Sequence, residues 1–240
     1  MIAGFIITGN ANKSVVVRGI GPSLSAFGIP NPLADPVVEL HGANGSLITS
    51  DDNWADTQRA QIQGTIYQPS NDLESVIIAT LTPTAYTAIL SGKNNGVGVG
   101  VVEVYDFSPG SDSQLAQIST RGLVQGGSNV MIAGFILGNS QTTTHIAIRG
   151  IGPSLSQFGI THPLPDPTLE LRDANGVLLI ANDNWTDDPV SAGQLTANGL
   201  ALSNPKESGI FTTLPAGQFT AILAGKNGSG IGVVEVYNLK

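Results

Sequence analysis

The chain contains no cysteine. That absence excludes zinc–thiolate sites, iron–sulfur clusters, disulfides and thiol catalysis. Charge is sparse as well: Asp, Glu, Lys and Arg make up 12% of the residues, and aromatics 5% with two Trp. The formal net charge is −8 and the sequence pI about 4.6, which argues against nucleic acid and anionic membrane as partners. No apolar run approaches membrane-spanning length. The opening Met1-Ile2-Ala3-Gly4-Phe5-Ile6-Ile7 lacks the basic flank of a signal peptide, and it returns inside the chain as Met131-Ile132-Ala133-Gly134-Phe135-Ile136-Leu137. Both copies read as core strands. Lys, Glu and Arg, the charged helix formers, are scarce, whereas Val, Ile and Thr are plentiful and suit strands. The 30 Gly and 14 Pro among 240 residues add frequent turns.

What the chain does have is a duplication. Arg18-Gly19-Ile20-Gly21-Pro22-Ser23-Leu24 recurs 131 positions later as Arg149-Gly150-Ile151-Gly152-Pro153-Ser154-Leu155. Asp52-Asn53-Trp54 recurs as Asp183-Asn184-Trp185, Glu74-Ser75 as Glu207-Ser208, and Thr87-Ala88-Ile89-Leu90 as Thr220-Ala221-Ile222-Leu223. Val101-Val102-Glu103-Val104-Tyr105 recurs as Val233-Val234-Glu235-Val236-Tyr237. Two copies of one module follow, each large enough to bury its own core.

Within a module, about seven short strands alternate with turns, the pattern of an antiparallel β-sandwich. Asn44-Gly45, in the turn 42–45 between runs 37–41 and 46–49, and Asn175-Gly176, between 169–172 and 177–180, mark hairpins. Residues 21–35, rich in Gly and Pro, read as an irregular connection. Residues 55–63 and 190–198 each predict one short helix, with Asp56 and either Asp187 or Asp188 as N-caps. The expected domains are 1–107 and 118–240, with 108–117 as linker. The second module has an extra strand at 118–124, expected to form a hairpin with 130–137, whereas the first begins at Met1 without it. The chain therefore reads as cut from a longer array or completed by a neighbour, with an unpaired and adhesive edge expected near residues 1–7.

These words together resemble a repeat found in large secreted proteins of environmental bacteria, mostly without assigned function. More distantly, residues 39–105 are similar to bacterial pre-peptidase C-terminal domains, although the family's Pro-Gly-x-Tyr turn is matched loosely by Pro83-Thr84-Ala85-Tyr86 and by Pro215-Ala216-Gly217-Gln218-Phe219. The resemblance implies a jelly-roll-like, all-β sandwich outside the cell and no catalytic residues.

Arg18 and Arg149 sit inside apolar strands, where a guanidinium must be paired. Glu39, Glu103, Glu170 and Glu235 lie in similar surroundings and are the expected partners, forming structural ion pairs. Asp51, Asp52 and Asp183 cluster with Asn residues and offer the hard oxygen ligands that Ca²⁺ prefers, though not at EF-hand spacing. Trp54 and Trp185 read either as sugar-stacking platforms or as large plugs of a sandwich edge. Gly19-Ile20-Gly21-Pro22-Ser23 has the look of a phosphate loop but lacks the Lys, and its prolines deny the helix that such a loop needs. The three His, at 41, 145 and 162, do not recur between copies, and Ser23 and Ser154 are not in a nucleophile elbow. The expectation is a non-catalytic structural or adhesive module of an extracellular bacterial surface protein or fibre. Its expected partners are copies of itself or neighbouring repeats, with neither nucleic acid nor membrane insertion. The alternative is a carbohydrate- or Ca²⁺-binding accessory module of a secreted hydrolase.

Overall fold

The run Val15-Val16-Val17 breaks the in–out alternation of a half-buried strand, and the reason is that both of its faces are covered. In a computed structural model that describes residues 1–110, 112–127, 129–138 and 143–239, all three valines are fully buried. The chain is all-β and divides into two compact units, Met1–Ala116 and Gln117–Lys240.

In the first unit the strands are β1 (Ile2–Gly9), β2 (Lys13–Ile20), β3 (Pro36–Gly42) and β4 (Leu47–Asp51). Two single-turn helices follow, α1 (Trp54–Thr57) and α2 (Arg59–Ile62), then β5 (Ser75–Leu81), β6 (Ala85–Gly92) and β7 (Val101–Asp106). One sheet runs β1-β6-β3-β4 and the other β5-β2-β7. Every strand pair in both is antiparallel. The sheets face each other through Val15, Val17 and Gly19 of β2. A Cβ on Gly19 would come within 2.4 Å of a Val38 methyl and 3.0 Å of Leu90, so this residue sets how closely the sheets approach. On the other side of β2, Val16 packs with Trp54, Ile62 and Val76 under the helical segment, and Tyr67 and Tyr105 close over them. That second layer explains the unbroken apolar run.

The second unit repeats the plan with β8 (Ser113–Val124, of which the first residues belong to the first unit), β9 (Met131–Leu137), β10 (Thr144–Ile151), β11 (Pro167–Asp173) and β12 (Leu178–Asn182). Helix α3 (Pro189–Ala197) precedes β13 (Ser208–Leu214), β14 (Gly217–Gly225) and β15 (Gly230–Leu239). The sheets are β12-β11-β14-β9 and β13-β10-β15-β8. Their inner faces meet in one core that includes Ile146, Ile148, Leu169, Leu171, Leu223 and Val234.

Several expectations need correcting. Residues 21–35 are not wholly irregular: Pro22–Phe27 and Pro153–Phe158 form 3-10 helices, with proline at the first turn and glycine in the left-handed region closing them. Proline there supplies the right φ and lacks only an N–H that such a turn would leave unpaired. Residues 55–63 form two single turns rather than one helix, and Asp56 lies inside α1 rather than capping it. Asp188 does cap α3, accepting from the Val190 and Ser191 amides. The proposed linker is overlapped by β8, which begins at Ser113. β8 and β9 do not form a hairpin: β8 pairs with β15, and β9 with β14. The Asn-Gly hairpins form at β3–β4 and β11–β12.

The most consequential correction concerns the free edge. β1 is not the uncovered strand, because it lies between β6 and β8 in its sheet. Among the described residues, the edge strand whose counterpart in the second unit has two neighbours is β7. Its counterpart β15 pairs with β10 on one side and with β8 on the other. Among the described residues, β7 pairs with β2 alone.

Candidate functional site

Most of the recurring words converge on one place, and a buried carboxylate organises it. Glu74 and Glu207 immediately precede β5 and β13, and both are fully buried. Glu74 Oε1 accepts from the Gly21 amide at 3.0 Å, the Ser23 amide at 2.9 Å and the Ser23 hydroxyl at 2.6 Å. Glu207 Oε1 accepts from Gly152, Ser154 and the Ser154 hydroxyl at 3.1, 3.0 and 2.5 Å. The Gly-x-Gly-Pro-Ser loop is thus an anion nest, and the anion is the chain's own. Gly21 has no alternative here, because a Cβ on it would sit 2.1 Å from the Leu33 carbonyl oxygen. Ser23 and Ser154 spend their hydroxyls on this carboxylate, and neither faces a histidine base.

The Asp-Asn-Trp loop stands beside the nest. The Trp54 amide donates to the Glu74 carbonyl at 2.8 Å, and the Trp185 amide donates to that of Glu207 at 2.7 Å. The Trp54 side chain is 3% exposed, so it plugs the second layer and cannot offer a face to a sugar. Trp185 is half-buried. Asp51 is 4% exposed, and its carboxylate accepts from the Val76 amide and the Thr57 hydroxyl. Burial pushes its pKa up, and the two hydrogen bonds only partly offset that. At the equivalent place Asn182 accepts from the Gly209 amide, so this position needs a hydrogen-bond acceptor rather than a charge.

Asp52 and Asp183 are drawn away from any shared cation site by lysines. Lys93 Nζ bonds to Asp52 and lies 3.9 Å from Asp35, and Lys226 Nζ bonds to Asp183. The backbone amides of Lys93 and Lys226 also bind the carbonyls of Asp35 and Asp166. The lysine therefore ties the long connection to the Asp-Asn-Trp loop. The signal was present: Gly-Lys-Asn recurs at 92–94 and 225–227. Among the described residues no group of three or more His, Cys, Asp or Glu is placed to hold a metal.

The expected ion pairs resolve into two kinds. Arg149 donates from Nε and Nη2 to Glu235 Oε2 at 2.8 and 2.5 Å and from Nη1 to the Leu200 carbonyl, and its guanidinium lies 5.4 Å from the Tyr237 ring centre. Burial, reinforced by the Glu235 charge, pushes the Tyr237 hydroxyl up to about 12. Arg18 stands 3.2 Å from Glu103 without hydrogen-bond alignment. Glu39 and Glu170 are not partners of these arginines. They bind instead to His41 and Arg172, two residues along their own strands on the same face. The His41 pKa is raised, first by the hydrogen bond to Glu39 and then by the Gly45 carbonyl. His145 bonds to Thr213 and stacks on Phe211. No catalytic grouping of His, Ser and carboxylate forms among the described residues.

The remaining feature is a surface. Val234 and Val236 of β15 are 0% and 5% exposed, whereas their counterparts Val102 and Val104 on β7 are only half-buried. Val101 is 38% exposed and Phe107 40%. An unpaired backbone edge here borders an incompletely covered core.

No protein-family model matches the chain, and no curated protein matches it. Among solved structures, the chain aligns with one described as the atomic structure of Sulfolobus Turreted Icosahedral Virus, at 11% identity and a TM-score of 0.28, covering 99% of this chain and 88% of that one. It also aligns with the infectious bursal disease virus VP2 subviral particle, at 11% identity and a TM-score of 0.22, covering 98% and 68%. Scores this low carry no argument about function or ancestry.

Proposed function

We propose that this chain is a non-catalytic structural or adhesive module of an extracellular bacterial surface protein or fibre, and that it associates with modules of its own kind through strand edges. The observation that carries this reading is the edge of β7, which is unpaired among the described residues and flanked by half-buried valines whose counterparts are sealed. The motif residues support it from the other direction. Glu74, Ser23, Asp52, Lys93 and Trp54 are engaged with one another or with backbone and hold the sandwich together. Light scattering and electron microscopy of the pure chain over a wide concentration range test the assembly. End-to-end oligomers or filaments are expected, and a stable monomer at the highest concentration overturns it.

A second reading, a glycan-binding accessory module, rests on Trp185, which keeps part of its surface exposed. Glycan-array binding with fluorescence quenching in a Trp54→Phe background would support it. Silence on the array would remove it.

A further inference from the structure

Asn-Gly occurs five times, at 44–45, 95–96, 175–176, 198–199 and 227–228. A glycine after asparagine carries no Cβ to screen its own backbone nitrogen, so that nitrogen can approach the Asn side-chain carbonyl carbon. The fold restrains four of these pairs. The amides of Gly45, Gly96, Gly176 and Gly199 donate to the carbonyls of Gly42, Lys93, Asp173 and Thr196 at 2.9, 3.0, 3.0 and 3.0 Å. Two of the side chains are pinned as well. Asn44 Oδ1 accepts from the Ser46 amide and hydroxyl, and Asn198 Nδ2 donates to the Gln194 carbonyl at 2.8 Å. A nitrogen held in such a bond must first leave it before it can attack. Asn227-Gly228 is different. Both residues are exposed, in the turn between β14 and β15. Among the described residues, neither the Gly228 amide nor the Asn227 side chain has a hydrogen-bond partner. The matching turn of the first unit is an internal contrast, because there the Gly96 amide is tied back to Lys93.

We propose that Asn227 is a self-modification site of the folded chain, converting to a mixture of aspartate and isoaspartate while the other four Asn-Gly pairs lag behind. The reactants are the chain's own backbone and water. Solvent hydroxide takes the Gly228 amide proton, and the nitrogen attacks Asn227 Cγ. The N–Cγ bond forms and the Cγ–Nδ2 bond breaks. Nδ2 departs as ammonia, taking a proton from water and so returning the hydroxide. Water then opens the cyclic imide at either carbonyl. Cleavage of the new N–Cγ bond restores the main chain and leaves an aspartate side chain. Cleavage of the original peptide C–N bond routes the main chain through Cβ and Cγ, which gives isoaspartate. Either product puts a new carboxylate beside Lys226, whose Nζ holds Asp183 and whose amide holds the Asp166 carbonyl. Isoaspartate also lengthens the main chain of a turn with little slack, since a Cβ on Gly225 would come within 2.4 Å of the Gly228 carbonyl oxygen. The modification therefore bears on the lysine tie of the second unit and leaves the Lys93 tie of the first untouched.

The test is peptide mapping by mass spectrometry of the full wild-type chain held in warm, mildly alkaline buffer, with electron-transfer fragmentation to separate aspartate from isoaspartate. Asn227 is expected to convert first, at least about threefold faster than each of the other four, a factor set by one backbone hydrogen bond of ordinary strength. Both acids are expected there, because direct hydrolysis of the side-chain amide would give aspartate alone. The rate is expected to rise with pH, as removal of the Gly228 amide proton requires. The same chain unfolded in guanidinium is the control: the restraining hydrogen bonds are gone, and Asn227 is expected to lose its lead. Asn227→Gln, an exposed change that spares the fold, is expected to silence the site and leave the other four rates as they were. Equal rates at all five pairs in the folded chain, or another pair converting first, would overturn the proposal. So would aspartate without isoaspartate, or a lead of Asn227 that survives unfolding. The outcome does not depend on whether the chain associates, so it stands or falls apart from the assembly reading.

Discussion

Replacing Glu74 with alanine tests the physical core of this description. Oε1 of that residue accepts three hydrogen bonds inside the protein, two from backbone amides and one from a hydroxyl. The substitution leaves the Gly21 and Ser23 amides without an acceptor and lets the Ser23 hydroxyl turn elsewhere. An orphaned buried donor costs about 1–3 kcal/mol, and hydrogen bonds to a charged group lie at the upper end of that range. Relief of a buried carboxylate, whose second oxygen has no hydrogen-bond partner, offsets part of the loss. The expected net destabilisation of the first unit is about 3–4 kcal/mol. With a urea m-value of about 2 kcal/mol/M for a unit of this size, the midpoint falls by roughly 1.5–2 M. Each unit contains one tryptophan, so fluorescence in a Trp185→Phe background follows the first unit alone through Trp54. Glu207→Ala in a Trp54→Phe background repeats the measurement in the second unit. Ser23→Ala removes one donor and leaves the amide bonds, so it should cost only about 1 kcal/mol. A fall below about 0.5 M for Glu74→Ala, or equal effects of Glu74→Ala and Ser23→Ala, would refute the reasoning that the loop is built around this carboxylate.

Arg149→Met should cost the second unit about 2–4 kcal/mol by leaving the partly buried Glu235 charge with the Tyr237 hydroxyl and no cation, and adding Glu235→Met should recover most of it; urea unfolding read through Trp185 checks both. Asp51→Asn should stabilise the first unit at neutral pH by up to about 1 kcal/mol, since it keeps the acceptor for Val76 and removes a buried charge, as Asn182 already does. The folded Asp51 holds its proton more tightly than the unfolded chain does, so wild-type stability falls as pH rises from the ordinary carboxylate value of 3.8 through the raised folded one. Thermal melts across that window should show the variant losing this slope. His41 should titrate above 6.5 by NMR and return toward that value in Glu39→Gln; its small contribution to stability is present below 6.5 and fades as pH rises through the raised pKa.

Some of this was legible in the residues alone. Val, Ile and Thr runs between Gly- and Asn-rich turns specify strands locally, and Asn-Gly specifies its hairpins through the positive φ that Gly45 and Gly176 adopt. The duplication announced two units because it is a property of the string itself. The pairing of Arg149 with Glu235 was readable as a need, since a guanidinium in an apolar strand demands a partner, but not as an identity. Glu170 met the same criteria and lost because two residues along a strand share a face, which gave it to Arg172. What only the tertiary structure decided was long-range. Lys93 and Asp52 are 41 residues apart, and the sandwich alone brings them together. Glu74 reached the Gly-x-Gly-Pro-Ser nest across a gap of 51 residues to Ser23. The free edge moved from β1 to β7 because strand order within a sheet is a matter of which distant segments close on which core. No local pattern encodes that, since a strand beside solvent and a strand beside a neighbour can carry the same five residues, as Val101–Tyr105 and Val233–Tyr237 do.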